Sequence, residues 1–287
     1  MRTPIVDESK FLDIFSRHGS CIYPLSMSTQ ERLTCDMLLR KEGMTMLRSL
    51  KDFQRYRIHA TDGDIGAVYE FYFDDMQWGI RYLVVDTGAW FTRRHVLISP
   101  VAIQNADWPG LTLTLNLTKA QIKGAPKVDE YKPFSRQQEL NYVKYYGWPT
   151  YWSAAIPTTT PKLGELQAVA SPDEPKGVPH LRRTREVIGY AIHAMDGDIG
   201  EVEDFIVDDD PWEIRYMVVS TRHWLPGKKV LIAPQWITEV NESESKVHVG
   251  LTREEVKNSP EFDPTAPVNR EYEVRLYDYY GQPKYWE

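Results

Sequence analysis

The chain has 287 residues, of which 42% are hydrophobic and 26% charged, and it contains 9 Trp, 17 Tyr and 9 Phe. This amount of apolar and aromatic surface excludes a wholly disordered chain, and the length suggests two domains of about 100–200 residues each. The net charge of −7 argues against nucleic acid as a partner.

Membrane and redox features are also limited. No stretch approaches the roughly 18–20 uncharged apolar residues that span a bilayer, and MRTPIVDESKF lacks the apolar centre of a signal peptide. We therefore predict a cytoplasmic location and no transmembrane segment, with peripheral membrane association left open. The two cysteines, Cys21 and Cys35, form neither a disulfide framework nor a Cys-based metal motif.

A duplication organises most of the chain. HATDGDIGAVYEFYFDDMQWGIRYLVVDT begins at His59 and HAMDGDIGEVEDFIVDDDPWEIRYMVVST begins at His193, and 18 of these 29 positions are identical at an offset of 134. The same offset relates YYGWPTYW to YYGQPKYW at the two copy ends. Such self-similarity indicates a repeated structural unit, and we predict two domains, repeat 1 (46–152) and repeat 2 (181–287).

Two further segments have no counterpart in the repeat. Residues 1–45 are predicted to be an N-terminal appendage that is disordered or that derives from an upstream start, with Met44 or Met46 as the alternative start. Residues 153–180 contain five prolines and little hydrophobic periodicity, which indicates a partly extended linker.

The first strands of each repeat are predicted from turn residues. Asp62-Gly63 is a two-residue hairpin signal because both positions favour positive φ. In the run 65–73, strict alternation does not place the apolar residues on one face, so we predict a bulge near Gly66 or Tyr69. Asp74-Asp75 is expected to form the next turn.

The later strands follow in order. Residues 80–85 are apolar on both faces, as in a central strand, residues 96–98 form a short strand stopped by Pro100, and residues 111–117 alternate Leu with Thr or Asn. Each repeat therefore has five or six strands. We expect two small closed β-barrels in a mainly β chain, each barrel with its own hydrophobic interior.

A short helix and an aromatic tail follow each predicted barrel. The segments 118–121 and 252–255 fit the capping box, in which Thr and a Gln or Glu satisfy the first amides of a helix. Both helices should end before Pro126 and Pro260. The tails are expected to dock by burying Tyr and Trp.

These motifs resemble a known family. The G-x-V-x-D/E-F strand, the aspartate-rich turn, I-R-Y-L-V-V-D-T, the Trp before VLISP and the closing L-T-x-x-x-I helix resemble the PRC-barrel domain, which occurs in the photosynthetic reaction centre H subunit and in a ribosome maturation factor. The chain is thus similar to a tandem PRC-barrel protein of the stand-alone bacterial kind. The resemblance implies two PRC-type barrels and a binding or assembly role. Residues 1–45 hold neither a membrane helix nor an RNA-processing domain.

A metal site is the one candidate for chemistry. Imidazole and carboxylates at short spacing are potential ligands of a divalent ion, but an EF-hand is excluded because Ala67 or Glu201 stands where its sixth position requires Gly. We favour hairpin chemistry, with aspartates that cap turn amides, and predict no metal. The six candidate ligands, should a metal bind, are His59, Asp62, Asp64, His193, Asp196 and Asp198.

A charged residue interrupts each central strand. Arg81 and Arg215 lie in apolar runs, where an unpaired charge is costly. We favour a salt bridge over an anion site, with partners drawn from Asp74, Asp75 and Asp86 in repeat 1 and from Asp208 and Asp209 in repeat 2.

Aromatic residues are the candidate interaction sites. Exposed aromatics are enriched in interface hot spots, although packing in the core or at the barrel ends is the commoner fate. The candidates are Trp78, Trp90, Trp212, Trp224, Tyr145, Trp152, Tyr279 and Trp286. No phosphate loop, G-x-S-x-G elbow or H-E-x-x-H motif occurs, so we predict no catalytic residues and no cofactor.

The two repeats differ in net charge. Repeat 1 carries a net charge of +2 and repeat 2 a net charge of −8, which favours either contact between the repeats as an intramolecular pseudo-dimer or simple drift of solvated surfaces.

We predict a non-catalytic tandem PRC-barrel protein that binds a protein partner or itself, for example as a homodimer. Two alternatives stay open. One is an accessory factor of a photosynthetic or membrane electron-transfer complex, and the other is a metal- or small-ligand-binding protein that uses the His-x-x-Asp-x-Asp hairpins.

Overall fold

The computed structural model describes residues 47–54, 56–88, 94–108, 110–126, 134–151, 181–221 and 227–287. The predictions for residues 1–45 and for the linker 153–180 lie outside these ranges.

The described part of repeat 1 contains β-strands, α-helices and 3-10 turns. Its strands are β1 (Leu47–Ser49), β2 (Arg57–Ala60), β3 (Gly63–Asp74), β4 (Ile80–Asp86), β5 (His95–Ile98), β6 (Ile103–Asp107) and β7 (Thr112–Leu115). Its helices are α1 (Leu50–Phe53), α2 (Lys119–Gly124) and α3 (Arg136–Tyr146), with a 3-10 helix at Pro100–Ala102.

Repeat 2 contains the same elements in the same order. Its strands are β8 (Leu181–Arg183), β9 (Ala191–Ala194), β10 (Gly197–Asp208), β11 (Glu213–Ser220), β12 (Lys229–Ile232), β13 (Ile237–Asn241) and β14 (Lys246–Val249). Its helices are α4 (Thr184–Val187), α5 (Arg253–Asn258) and α6 (Arg270–Tyr280), with a 3-10 helix at Pro234–Trp236.

The strands form two seven-stranded mixed sheets. One has the order β5-β4-β3-β2-β7-β6, with β8 as a seventh strand on β3, and the other has the order β12-β11-β10-β9-β14-β13, with β1 as a seventh strand on β10. Most pairs are antiparallel, while β2 with β7 and β9 with β14 are parallel. The mainly β fold is confirmed.

The predicted closure of each sheet is wrong. Among the described residues, the end strands β5 and β6 of the first sheet do not pair, nor do β12 and β13 of the second. The chain leaves β5 through the 3-10 turn at Pro100–Ala102, so the two end strands meet at a bend and not side by side. The amide of Asn116 donates to the carbonyl of Ala102 at 2.9 Å and holds this corner.

The long strand bends where the sequence indicates. The register between β3 and β4 shifts between Val68 and Glu70, which places a bulge at Tyr69, and a second shift lies beside Gly66. A Cβ at Gly66 would stand 1.8 Å from the carbonyl oxygen of Asp86. Only glycine permits this close backbone approach.

The capping boxes are confirmed. Thr118 and Thr252 cap α2 and α5 with reciprocal side-chain and backbone bonds, and both helices end before their prolines. The aromatic tails, however, contain eleven-residue helices that the sequence analysis missed. Helix α3 begins after a capping box at Ser135 and ends at Gly147, which has a left-handed φ of 71°.

Each repeat contributes its first strand to the sheet of the other repeat. Strand β1 pairs with β10, with Leu47 opposite Asp208, and strand β8 pairs with β3, with Leu181 opposite Asp74. The two registers are equivalent, because both positions differ by the repeat offset of 134. Each seven-stranded sheet is therefore complete only when both repeats are present.

The expectation of two separate hydrophobic interiors is also wrong. One continuous cluster of buried residues includes side chains of both repeats. The ring centroids of Phe73 and Phe205 lie 5.4 Å apart, as do those of Phe53 and Trp212. Strand exchange brings the inner faces of the two sheets together, so their apolar residues merge into one core.

Candidate functional site

Two of the predicted interaction residues meet at the contact between the repeats. Trp78 and Trp212 are both 8% exposed, and both have left-handed backbone angles, φ 58° and φ 54°. The carbonyl of Trp212 accepts from the amide of Ile80 at 2.7 Å, and the carbonyl of Trp78 accepts from the amide of Ile214 at 2.8 Å. Both rings are therefore buried where the two repeats meet, a contact that we call the junction.

Ion pairs cross this junction in both directions. From repeat 1, Arg48 contacts Asp209 at 2.5 Å and Lys51 contacts Glu203 at 3.5 Å. From repeat 2, basic residues of β8 contact acidic residues of the first sheet, with Arg182 to Asp75 at 2.8 Å and Arg183 to Glu70 at 2.5 Å. The pairing is thus reciprocal, and the difference in net charge between the repeats is not what selects it.

The central arginines pair as predicted. Arg81 contacts Asp74 at 3.1 Å, and Arg215 contacts Asp208 at 3.3 Å. The guanidinium of Arg81 also lies 3.8 Å from the ring centroid of Tyr151, so this charge is both neutralised and covered. The structure favours the salt bridge over the anion site.

A cleft of about 180 Å³ lies beside Arg81. Its walls are mostly aromatic, aliphatic and proline side chains of repeat 1, with Pro211 and Trp212 contributed by repeat 2. Val143 lines the cleft, whereas repeat 2 has the larger Tyr277 at the equivalent position.

Tyr145 and Tyr279 are the exposed members of the interaction candidates. Their exposed fractions are 43% and 40%. The hydroxyl of Tyr145 donates to the carbonyl of Gln121 at 2.7 Å, and that of Tyr279 donates to the carbonyl of Glu255 at 2.8 Å. We call Tyr145 with α2, and Tyr279 with α5, the tyrosine faces of repeats 1 and 2.

The remaining interaction candidates are less exposed or lie outside the described residues. Trp286 is partly buried, with its ring centroid 5.2 Å from that of Tyr277. Trp90, Trp152 and Trp224 lie outside the described residues.

The hairpin aspartates have structural partners. Asp62 accepts from the amide of Lys119, the first residue of α2, at 2.7 Å, and Asp196 accepts from the amide of Arg253 at the same distance. His59 contacts Asp64 at 2.8 Å, and this hydrogen bond lowers the pKa of the Asp64 carboxyl.

His193 contacts Asp198 at 2.6 Å in the second hairpin. Over the part of the chain that the structure describes, no three His, Cys, Asp or Glu residues are grouped so as to hold a metal ion. The geometry favours the hairpin reading of both motifs.

Replacing Asp62 by Ala is expected to lower the free energy of unfolding by about 1 kcal/mol, because a helix-capping acceptor is lost. The loss should be the same in EDTA and in millimolar Mg²⁺ or Zn²⁺, measured by urea unfolding. A loss that occurs only when a divalent ion is present would instead support a metal site at the hairpin.

Two buried carboxylates on the tail helices themselves, Glu139 of α3 and Glu273 of α6, were missed by the sequence analysis. The Glu139 side chain is 3% exposed and contacts Arg136 at 2.6 Å, and it accepts from Tyr151 at 2.8 Å and from Tyr82 at 3.4 Å. In repeat 2, Glu273 accepts from the hydroxyls of two tyrosines, Tyr216 and Tyr285, at 2.8 Å each. These clusters attach each tail to its central strand.

Burial raises the pKa of Glu139 to about 6. Because the folded pKa exceeds the unfolded value, the contribution of this group to stability is complete below about pH 4.5 and is lost as the pH rises through 6. The shift corresponds to about 2 kcal/mol at about 1.4 kcal/mol per pKa unit.

Replacing Glu139 by Gln should remove this pH dependence. The difference in unfolding free energy between pH 4.5 and pH 7 should change by about 2 kcal/mol relative to the wild-type chain, as measured by urea unfolding at each pH. An unchanged difference would show that Glu139 titrates normally.

No helix in the described ranges is both long and apolar enough to cross a membrane. Comparison of the sequence with protein-family models and with curated proteins gave no match.

Proposed function

We propose that the chain is a non-catalytic assembly protein of the PRC-barrel type, which binds a protein partner through its tyrosine faces. The proposal rests on Tyr145 and Tyr279, which are exposed and whose hydroxyls are hydrogen-bonded. Both lie on repeats that are held together by strand exchange. An aromatic side chain whose hydroxyl is already fixed loses little conformational freedom on binding, so it is a favourable interface anchor.

The two faces differ in charge. Helix α5 presents exposed Glu254 and Glu255 beside Tyr279, whereas the equivalent residues of α2 are Ala120 and Gln121. Complementary charge steers association and excludes wrong partners. The face of repeat 2 therefore suits a partner with a basic surface.

The proposal is tested by capture from an extract of the source cells on three immobilised chains: wild type, Y145A/Y279A and M76A. Met76 is 70% exposed and lies outside both tyrosine faces, so M76A is the matched control. A partner should bind wild type and M76A alike and should bind the tyrosine variant at least about tenfold more weakly, because truncation of an aromatic anchor costs more than about 1.4 kcal/mol.

Two outcomes would contradict the proposal. In one, every captured protein binds all three chains equally. In the other, nothing binds while calorimetry of the purified chain shows a divalent ion at the hairpins, which would favour the metal-binding alternative.

A further inference from the structure

The surface that joins the repeats consists of an exchanged strand, the helix after it and the outer edge of the long strand that receives it. The element pairs are β1 and α1 on β10, and β8 and α4 on β3. Because both pairings use the same register, each repeat carries one donor strand and one acceptor edge. A surface of this kind is self-complementary in principle, as in a two-fold dimer.

The charges of the donor segment and of the acceptor edge differ between the repeats. The donor segment of repeat 2 carries three basic residues, of which Arg182 and Arg183 contact the acidic Asp75 and Glu70 of repeat 1. The third, Arg185, lies over the uncharged ring of Tyr69, 4.3 Å from its centroid.

The acceptor edge of repeat 2 has an acidic residue at each of the three matching positions. Asp209 contacts Arg48, Asp204 accepts from Ser49, and Glu203 contacts Lys51. The donor segment of repeat 2 would therefore meet three carboxylates on a second repeat 2. That is one ion pair more than the two that it makes with repeat 1, while the donor segment of repeat 1 would lose the pair between Lys51 and Glu203, so the total per chain is unchanged.

We propose that repeat 2 also fits a second copy of itself, so that two chains can assemble by exchanging strand β8 between their second repeats. Arg182 would face Asp209 of the second copy, Arg183 would face Asp204, and Arg185 would face Glu203. The inference goes beyond the proposed function, because the exchange uses the β8 segment and the edge of β10 and not the tyrosine faces.

The centre of the junction is compatible with this pairing. The carbonyl of Trp212 would accept from the amide of Ile214 of the second copy, as it accepts from Ile80 in the present pair. Glu213 is opposite Gly79 in the present pair and would be opposite Glu213 of the second chain in the proposed pair. Each Glu213 is 2.8 Å from Arg215, which neutralises it.

The first repeats of two such chains are complementary in the same register, with Arg48 placed opposite Asp75. This pairing provides fewer charged contacts, because Lys51 would face Tyr69 and Ser49 would face the buried Glu70, which would lose its ion pair with Arg183. Repeat 2 therefore contributes most of the specificity of the assembly.

A carbodiimide cross-link between an amine and a carboxylate tests the proposal in the full chain. Arg185→Lys supplies an amine at an exposed position and keeps its charge. Chains labelled with ¹⁴N and ¹⁵N are unfolded together, refolded at rising concentration, cross-linked and digested. The present pairing gives Lys51–Glu203 peptides of a single isotope, beside Lys229–Glu203 peptides that form within repeat 2 in either pairing.

Pairing of two second repeats gives mixed-isotope peptides in which the amine introduced by R185K is joined to Glu203, and we expect their yield to rise with chain concentration. Native mass spectrometry of the unsubstituted chain should show mixed-isotope dimers under the same conditions. The proposal would be overturned if the only mixed-isotope peptides were Lys51–Glu203 peptides. It would also be overturned if no mixed-isotope peptide formed at a millimolar concentration of the chain. The capture experiment tests binding through the tyrosine faces, whereas the cross-linking experiment tests the exchange of β8. Either proposal can therefore fail while the other holds.

Discussion

Replacing Arg183 by Ala is expected to lower the free energy of unfolding by about 3–5 kcal/mol, because it leaves a buried anion without its counter-charge. Glu70 is only 1% exposed. Its carboxylate accepts hydrogen bonds from Nη2 of Arg183 at 2.5 Å and from Nε of Arg183 at 3.1 Å. This pair attaches strand β8 of repeat 2 to the sheet of repeat 1. The measurement is equilibrium unfolding in urea.

Two variants separate charge from packing in this prediction. R183M/E70L should recover most of the loss, since an apolar pair of similar volume removes the unpaired charge. Ser49→Ala is the matched control at the equivalent position of β1, where Ser49 Oγ donates to Asp204, and it should cost about 1 kcal/mol. A double variant as unstable as R183A would contradict the argument.

Replacing Trp212 by Ala should lower the free energy of unfolding by about 3–5 kcal/mol and should also weaken the attachment of the repeats to each other. The ring of Trp212 lies 5.4 Å from that of Phe53 and 6.5 Å from that of Phe71, both in repeat 1. Truncation therefore leaves a cavity in the shared core, at the junction.

Trp236→Ala is the control for this second prediction. Trp236 is 5% exposed and packs on Tyr277 and Tyr280 of its own repeat. After cleavage at a protease site introduced within 153–180, the halves of the wild type and of W236A should co-elute in size exclusion at low and high salt. Those of W212A should separate. Separation of the wild-type halves, or equal behaviour of both variants, would count against a shared core.

Local features of the fold were predictable because their causes lie within a few residues. The hairpin between β2 and β3, the bulge at Tyr69 and the capping box at Thr118 each depend on the conformational preferences of adjacent positions. The hairpin turns one position earlier than predicted, at Thr61-Asp62, because Ala60 pairs with Gly63, and of the predicted turn residues only Gly63 has a positive φ. The pairing of Arg81 with Asp74 was predictable as well, because an arginine in an apolar strand requires a nearby carboxylate.

The features that join the repeats were not predictable from the sequence. The exchanged strands contain three residues each, too few for any periodicity, and strand β1 pairs with residues about 160 positions away. The Glu139 cluster was missed for a similar reason, since Tyr82 lies 57 residues before it. Such contacts follow from topology and not from spacing.

Strand exchange also bears on biosynthesis. The ribosome completes β3 long before it reaches β8, whose residues Leu181–Arg183 lie more than a hundred positions further along. At about 5–20 residues per second, this interval is roughly 5–20 s. During translation the edge of β3 that receives β8 therefore stays without this partner for that time.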